Sequence, residues 1–270
     1  MDLTAADIRL WLAEDLGDGD VTTEALLADV RCTASLLLGE PGVVCGLDTA
    51  KAVFRELDPE LSFEPRCEDG DLCEPGEVAR LHGDARAILG GERTALNVLG
   101  RLSGIATLTR RYVDAVAGTG VEILDTRKTT PGLRALEKRA VRRGGGTNHR
   151  LGLYDAILIK DNHLRLVGGI RAAVERARAS GTTLPVQVEA ETLDEVRAAR
   201  QAGADAILLD NMDVATLRAA VPLARGAITE ASGGITLDNV RAVAETGVDF
   251  ISVGALTHSA RALDVSLEVL

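Results

Sequence analysis

LDEVRAARQAGADAILLDN at residues 193–211 and LDNVRAVAETGVDFISVGA at 237–255 are two copies of one pattern. Each opens on a stretch with helical periodicity, breaks at a glycine, and closes on a short apolar run. Runs this short and continuous predict strands buried on both faces. Repeated helix–strand units of this length predict a parallel barrel or an open doubly wound sheet. Moving outward from the pair, further strands are predicted at 121–125, 156–159, 186–188, 206–209, 227–230 and 250–253. Helices are predicted between them at 165–180, 193–202, 214–223 and 237–246. Six strands fall short of the eight of a complete (β/α) barrel, so the expected architecture is α/β with an open, incomplete barrel.

The rhythm before residue 106 is different. A helix is predicted over 5–16, stopped by Gly17-Asp18-Gly19-Asp20. Short strand-like stretches come next at 33–38, 42–46, 61–64 and 77–82, separated by Pro and Gly turns, and a helix at 91–107 closes the half. This reads as a mixed α+β domain.

Composition narrows the function. Aromatic residues are only 2% of the 270, so the core is built from Ala, Val, Leu and Ile. The net charge of −11 opposes binding to nucleic acid or anionic membrane. No apolar run reaches the roughly 18 residues of a membrane span, and the stretch MDLTAADIRLWLAEDLG has neither the basic nor the apolar region of a secretory signal. Cys32, Cys45, Cys67 and Cys73 match no zinc-ligand spacing and read as reduced thiols of a cytoplasmic protein.

The chemistry lies in the residues at the C-terminal end of each strand. The six ends carry Asp125-Thr126-Arg127-Lys128, Lys160-Asp161-Asn162-His163, Glu189 with Glu191, Asp210-Asn211, Glu230-Ala231-Ser232-Gly233-Gly234, and Gly254 with Thr257 and His258. Lys160, Glu189, Asp210, Ser232 and Gly254 are separated by 29, 21, 22 and 22 residues, about one strand–helix unit each. They therefore return to one rim, where barrels of this kind hold their active sites. Arg127, Lys128, Arg150 and Lys160 form a cationic group on an acidic protein, suited to carboxylate and phosphate. Glu189 and Asp210 form a carboxylate pair able to hold Mg²⁺ together with substrate phosphates, or to stabilise a developing sugar cation. The Ser232-Gly233-Gly234 and Val253-Gly254 turns offer backbone N–H groups to a phosphate. His149 is read as a hydrogen-bond donor to substrate, His258 as a neighbour of phosphate, and His163 as open to either a structural or a functional role. These features predict an enzyme for multiply anionic small substrates, phosphate among their groups.

Several runs carry a more specific likeness: GERTALNVLGRLSGIAT (91–107), DTRKTTPGLRALEKRAVRRGGGTNHRLGLYDAILIKDNH (125–163), ILLDN (207–211), EASGGI (230–235), ISVGALTHSARALDVSL (251–267) and EDLGDGDVTT (14–23). Together they resemble the quinolinate phosphoribosyltransferase family over nearly the whole chain. The resemblance implies transfer of phosphoribose from phosphoribosyl pyrophosphate to quinolinate with decarboxylation, giving nicotinate mononucleotide, pyrophosphate and CO2 with Mg²⁺ as cofactor. It implies an N-terminal domain over 1–106, to which a tail at 259–270 returns, and an open barrel over 107–258. It further implies a homodimer in which Arg93 reaches the partner's quinolinate site. Arg127, His149, Arg150 and Lys160 would contact the quinolinate carboxylates. Lys128, Glu189 and Asp210 would serve the donor's ribose, pyrophosphate and Mg²⁺, and Ser232, Gly233, Gly254 and His258 its phosphate. Lys160, Glu189 and Asp210 would form the catalytic group.

Three positions depart from the family pattern. Gln187 stands where an acid is more usual, two residues before Glu189, while Arg139 and Arg143 stand where Tyr and Cys are common. Two alternatives share the scaffold: a phosphoribosyltransferase-like protein associated with molybdenum transport, and a non-catalytic sensor of phosphate ligands. KDNH at 160–163 and THSA at 257–260 favour the quinolinate enzyme over the first, and retention of both Glu189 and Asp210 favours it over the second.

Overall fold

The computed structural model describes residues 4–270; the first three residues of the expected N-terminal domain lie outside the described part. The chain divides into two compact units, one of residues 4–110, 130–145 and 259–270, the other of 111–129 and 146–258.

In the first unit, α1 (Ala5–Leu16) starts at a capping box in which Thr4 and Asp7 bond each other's backbone. Asp20 caps the short α2 (Val21–Leu26) through Thr22 N and Thr23 N. Strand β1 (Arg31–Leu38), the two-residue β2 (Gly42–Val43), α3 (Leu47–Leu57), β3 (Ser62–Pro65), β4 (Leu72–Cys73) and β5 (Gly76–Asp84) come after them. The long α4 (Ala85–Ala115) is next and belongs to this unit through Arg110. The expected 91–107 helix is thus the middle of a 31-residue one.

In the second unit, β6 (Glu122–Leu124) precedes an excursion of the chain to the first unit, where it forms α5 (Arg134–Arg143). The barrel half was expected to hold 130–145. This segment clusters with the first unit instead, because its apolar face and buried Glu137 find partners there, among them Arg101 on α4. The chain then continues through β7 (Ile157–Ile159), α6 (Asp161–Val167), α7 (Ile170–Ala179), β8 (Val186–Ala190), α8 (Leu193–Ala202), β9 (Ala206–Asp210), α9 (Val214–Leu223), β10 (Ile228–Ser232), α10 (Val240–Ala244), β11 (Phe250–Ser252) and α11 (Ala255–His258). Strand β12 (Val265–Val269) lies in the first unit.

The first unit holds a four-stranded antiparallel sheet ordered β12-β1-β5-β3 over a core that includes Leu36, Val53, Phe54, Leu81 and Leu99. In the second, six parallel strands run β6-β11-β10-β9-β8-β7. β6 and β7 are the two edges, so the barrel is open, and it opens where the chain leaves for α5. Val186, Gln187 and Val188 on β8, and Ile207, Leu208 and Leu209 on β9, are all buried, so both faces of these strands are covered.

Local chemistry explains the boundaries. Thr192 and Glu195 form a capping box at the start of α8, and Gly203 ends it in the left-handed region. The single helix expected over 165–180 is two, because Gly168 and Gly169 adopt φ of +90° and +111°. The helix expected over 237–246 is shortened to α10, since Asn239 turns back to bond Thr236 N and the Gly234 carbonyl.

Candidate active site

All six parallel strands deliver polar groups to one end of the second unit, around a cavity of about 710 Å³. Arg127, Lys128, His149, Arg150, Lys160, Glu189, Asp210, Ser232, Gly233, Gly254 and His258 all line it. Arg93 is an exposed residue of α4 in the first unit and is not among its lining residues. Among the described residues no helix is long and apolar enough to cross a membrane, and no group of three or more His, Cys, Asp or Glu could hold a metal ion alone.

The cationic end is built after β6 and before β7. Asp125, fully buried, accepts from His149 N at 2.8 Å and from Asn148 Nδ2 at 2.6 Å, which ties the 148–150 segment to the end of β6. Asp155 accepts from Leu151 N and Gly152 N, and fixes the turn leading to β7. Arg150 is half-buried. Its Nη1 donates to the Ala156 carbonyl at 3.3 Å, while its Nε is buried with no hydrogen-bond partner. Burial lowers the Arg150 pKa and the nearby Arg127 charge lowers it further; the guanidinium still remains charged. Two guanidinium groups held this close, with an unmet buried N–H, are suited to a carboxylate ligand.

His149 is engaged by protein on both ring nitrogens: Arg150 N donates to Nδ1 at 2.6 Å, and Nε2 lies 3.1 Å from Glu230 Oε2. His163 has a structural bond, its Nδ1 accepting from Lys160 N at 3.0 Å at the start of α6.

The carboxylates and glycine turns come from the ends of β8, β9, β10 and β11. Lys160 Nζ donates to Glu189 Oε2 at 2.7 Å, and Asn211 Nδ2 donates to Asp210 Oδ2 at 2.6 Å. Asn211 has φ +54°, the only positive value at a non-glycine among the described residues, and its N–H bonds the Ser232 carbonyl at 2.8 Å. Its side chain lies against Gly233, where an added Cβ would come 2.1 Å from Asn211 Oδ1. At Gly254 a Cβ would meet the His258 ring at 3.1 Å and the Lys128 stem at 3.2 Å. Thr257 Oγ1 donates to the Lys128 carbonyl at 2.8 Å and ties the last turn to the first. The two turns are therefore kept free of side chains where backbone and cations converge, an arrangement that suits a phosphate.

Ser252 lines the cavity and has no place in the sequence reading, and Glu230 and Asn211, which also line it, are named there at strand ends but given no role. The signal for Glu230 was present: a carboxylate inside an apolar run that must be buried on both faces.

Residues 20–103 match the family described as quinolinate phosphoribosyl transferase, N-terminal domain, and residues 105–268 match quinolinate phosphoribosyl transferase, C-terminal domain. The nicotinate-nucleotide pyrophosphorylase [carboxylating] of Mycobacterium leprae (strain TN) is 45% identical over 271 residues, covering 97% of this chain and 95% of its own. Among solved structures, the nicotinate-nucleotide pyrophosphorylase from Francisella tularensis superposes with a TM-score of 0.96 at 41% identity, covering 100% of this chain and 98% of that one. The corresponding protein from Ehrlichia chaffeensis gives 0.96 at 37%, with 100% of both chains covered.

Proposed function

The chain belongs to the quinolinate phosphoribosyltransferase family, and from that membership we infer its reaction: it transfers phosphoribose from phosphoribosyl pyrophosphate to quinolinate with decarboxylation, giving nicotinate mononucleotide, pyrophosphate and CO2 in NAD biosynthesis. The observation that best supports the assignment of individual residues is the Lys160–Glu189 contact of 2.7 Å. It sets one of the cations beside one of the carboxylates, so a diacid held by the first group and a ribose held by the second would meet where the new bond forms.

In this reading Arg127, Arg150 and Lys160, with His149, hold the quinolinate carboxylates. Lys128, Glu189 and Asp210 hold the donor's ribose and pyrophosphate. Ser232, Gly233, Gly254 and His258 hold its phosphate. As pyrophosphate leaves, positive charge grows at the ribose C1, and the Glu189 and Asp210 carboxylates stabilise it. Once the ring nitrogen is alkylated, loss of the adjacent carboxylate leaves a carbanion beside a cationic nitrogen. Lys160 holds that carboxylate in place until it leaves as CO2, and the carbanion then takes up a proton, which completes nicotinate mononucleotide.

The carboxylate pair fits Mg²⁺ as this cation is commonly bound, through one or two carboxylates plus substrate phosphates. Glu189 and Asp210 would hold it, directly or through water, and it would neutralise charge on the leaving pyrophosphate. The working assembly in this reading is a cytoplasmic homodimer, with Arg93 of each subunit serving its partner's site.

Carboxyl-labelled quinolinate should release CO2 with Mg²⁺ only when phosphoribosyl pyrophosphate is added; no release above background at any donor concentration rejects the reaction. Arg93→Ala and Lys160→Ala subunits, each inactive alone, should regain part of the activity when mixed. A verified heterodimer without activity rejects the shared site.

A further inference from the structure

Glu230 sits on β10 with its side chain only 4% exposed, on the floor of the cavity. Its Oε2 receives two bonds, from Gln187 Nε2 at 2.7 Å and from His149 Nε2 at 3.1 Å. Ser252, at the end of β11, also lowers the pKa of this carboxylate, while Oε1 is buried without a partner. An ionised carboxylate only accepts, so His149 Nε2 must carry the proton of that bond. The other ring nitrogen, Nδ1, accepts from Arg150 N at 2.6 Å and so carries none. A neutral imidazole has one N–H and one lone pair, and the two contacts use both.

We propose that Glu230 is a positioning residue for the diacid end of the site: it fixes His149 as the Nε2–H tautomer, so that the ring holds the Arg150 main chain and the Arg150 guanidinium, not the imidazole, meets the quinolinate carboxylate. This rests on the quinolinate reading above and revises the part His149 plays in it. Gln187 has a definite place here. An amide at 187 donates to Glu230, which an ionised acid could not, and the carboxylate is left free to orient the ring. Burial alone pushes the Glu230 pKa up, and the bonds from His149 and Gln187, with Ser252, bring it below the usual value. Arg150 completes the chain of contacts: its main chain is pinned by the imidazole and its side chain by Ala156, and its buried Nε–H still lacks an acceptor. A ligand carboxylate would supply one.

The chain has four histidines, few enough to assign ring resonances by substitution. Long-range ¹H–¹⁵N spectra of the labelled wild-type protein at neutral pH, with and without quinolinate, should show His149 with a pyrrole-like Nε2 and a pyridine-like Nδ1. An imidazolium, or the Nδ1–H tautomer, overturns the proposal. In Glu230→Ala this signature should be lost, and KM for quinolinate should rise about tenfold or more while KM for phosphoribosyl pyrophosphate changes less than about threefold. Glu230→Gln retains an acceptor oxygen and should keep the tautomer and most of the quinolinate affinity. An equal rise in both KM values, or a rise only for the donor, would mean that Glu230 meets the donor or merely supports the fold, and overturns the proposal. If Glu230→Ala does not fold, the wild-type spectrum and Glu230→Gln decide the question by themselves. The tautomer is read without turnover, so a chain that releases no CO2 would reject the reaction and leave this test standing.

Discussion

Glu137 and Glu230 are both buried carboxylates, one in each unit, and they are satisfied differently. Glu137 on α5 has no exposed side-chain surface, and both its oxygens are occupied: Oε1 by Arg101 Nε and Nη2 at 3.2 and 2.8 Å and by Thr130 Oγ1 at 2.8 Å, Oε2 by Thr130 N at 3.1 Å. Glu230 has one loaded oxygen and one bare one, and it faces a cavity. A buried charge met on all sides holds a scaffold together. One met on a single side, next to open space, marks a place where a fold carries chemistry.

The contrast can be broken by substitution. The largest effect should come at the rim of the second unit: Lys160→Ala should lower CO2 release about 10³-fold, roughly 4 kcal/mol of barrier, with a melting midpoint within about 2 °C of wild type. A large loss of stability instead would mean that the Lys160–Glu189 pair supports the fold. Next comes the scaffold charge. Glu137→Ala leaves Arg101 without its carboxylate and should reduce unfolding free energy by about 3–5 kcal/mol in urea, while activity per folded molecule stays near wild type. Unchanged stability would show that Glu137 is not the scaffold charge it resembles. Gly233→Ala should act more mildly, since its methyl group meets Asn211 Oδ1 and the backbone holds φ +90°. KM for the donor should rise about tenfold, near 1.4 kcal/mol, with quinolinate binding little changed; equal effects on both substrates would remove the turn from the phosphate site.

The smallest effect concerns pH. Because the folded Glu230 pKa lies below its ordinary value, the stability it contributes is fully present above the ordinary glutamate range and is lost as pH falls through the folded value. The stability gap between wild type and Glu230→Gln should therefore shrink on acidification from pH about 6 toward 3. A gap that widens would reverse the sign of the argument.

The second unit was legible because its signals are local. Each parallel strand is a short apolar run, and Lys160, Glu189, Asp210 and Ser232 lie at or just past the end of one, so they could be placed on a rim by counting residues. Helix α8 announces its own start and stop through Thr192, Glu195 and Gly203. Non-local partners hid the rest. Nothing in RALEKRAVRR says that α5 belongs with the first unit, since its reason for being there is Arg101, far away in sequence. Helix α3 is hidden among the turns and strands around it, although Leu47, Ala50, Val53 and Phe54 make one apolar face. Glu230 was passed over because the value of a buried acid depends on Gln187 and His149, which arrive from β8 and from the segment before β7.

Strand β12 has a consequence for how the protein is made. It is an edge of the first unit's sheet, and its partner across the ladder is β1, near the start of that unit. The whole of the second unit lies between them in the chain. During synthesis the second unit's strands emerge, and can pair, while β1 still shows an open row of N–H and C=O groups to the cell. The nascent chain therefore carries an adhesive edge for most of its translation, and it is silenced only when Val265–Val269 leaves the ribosome.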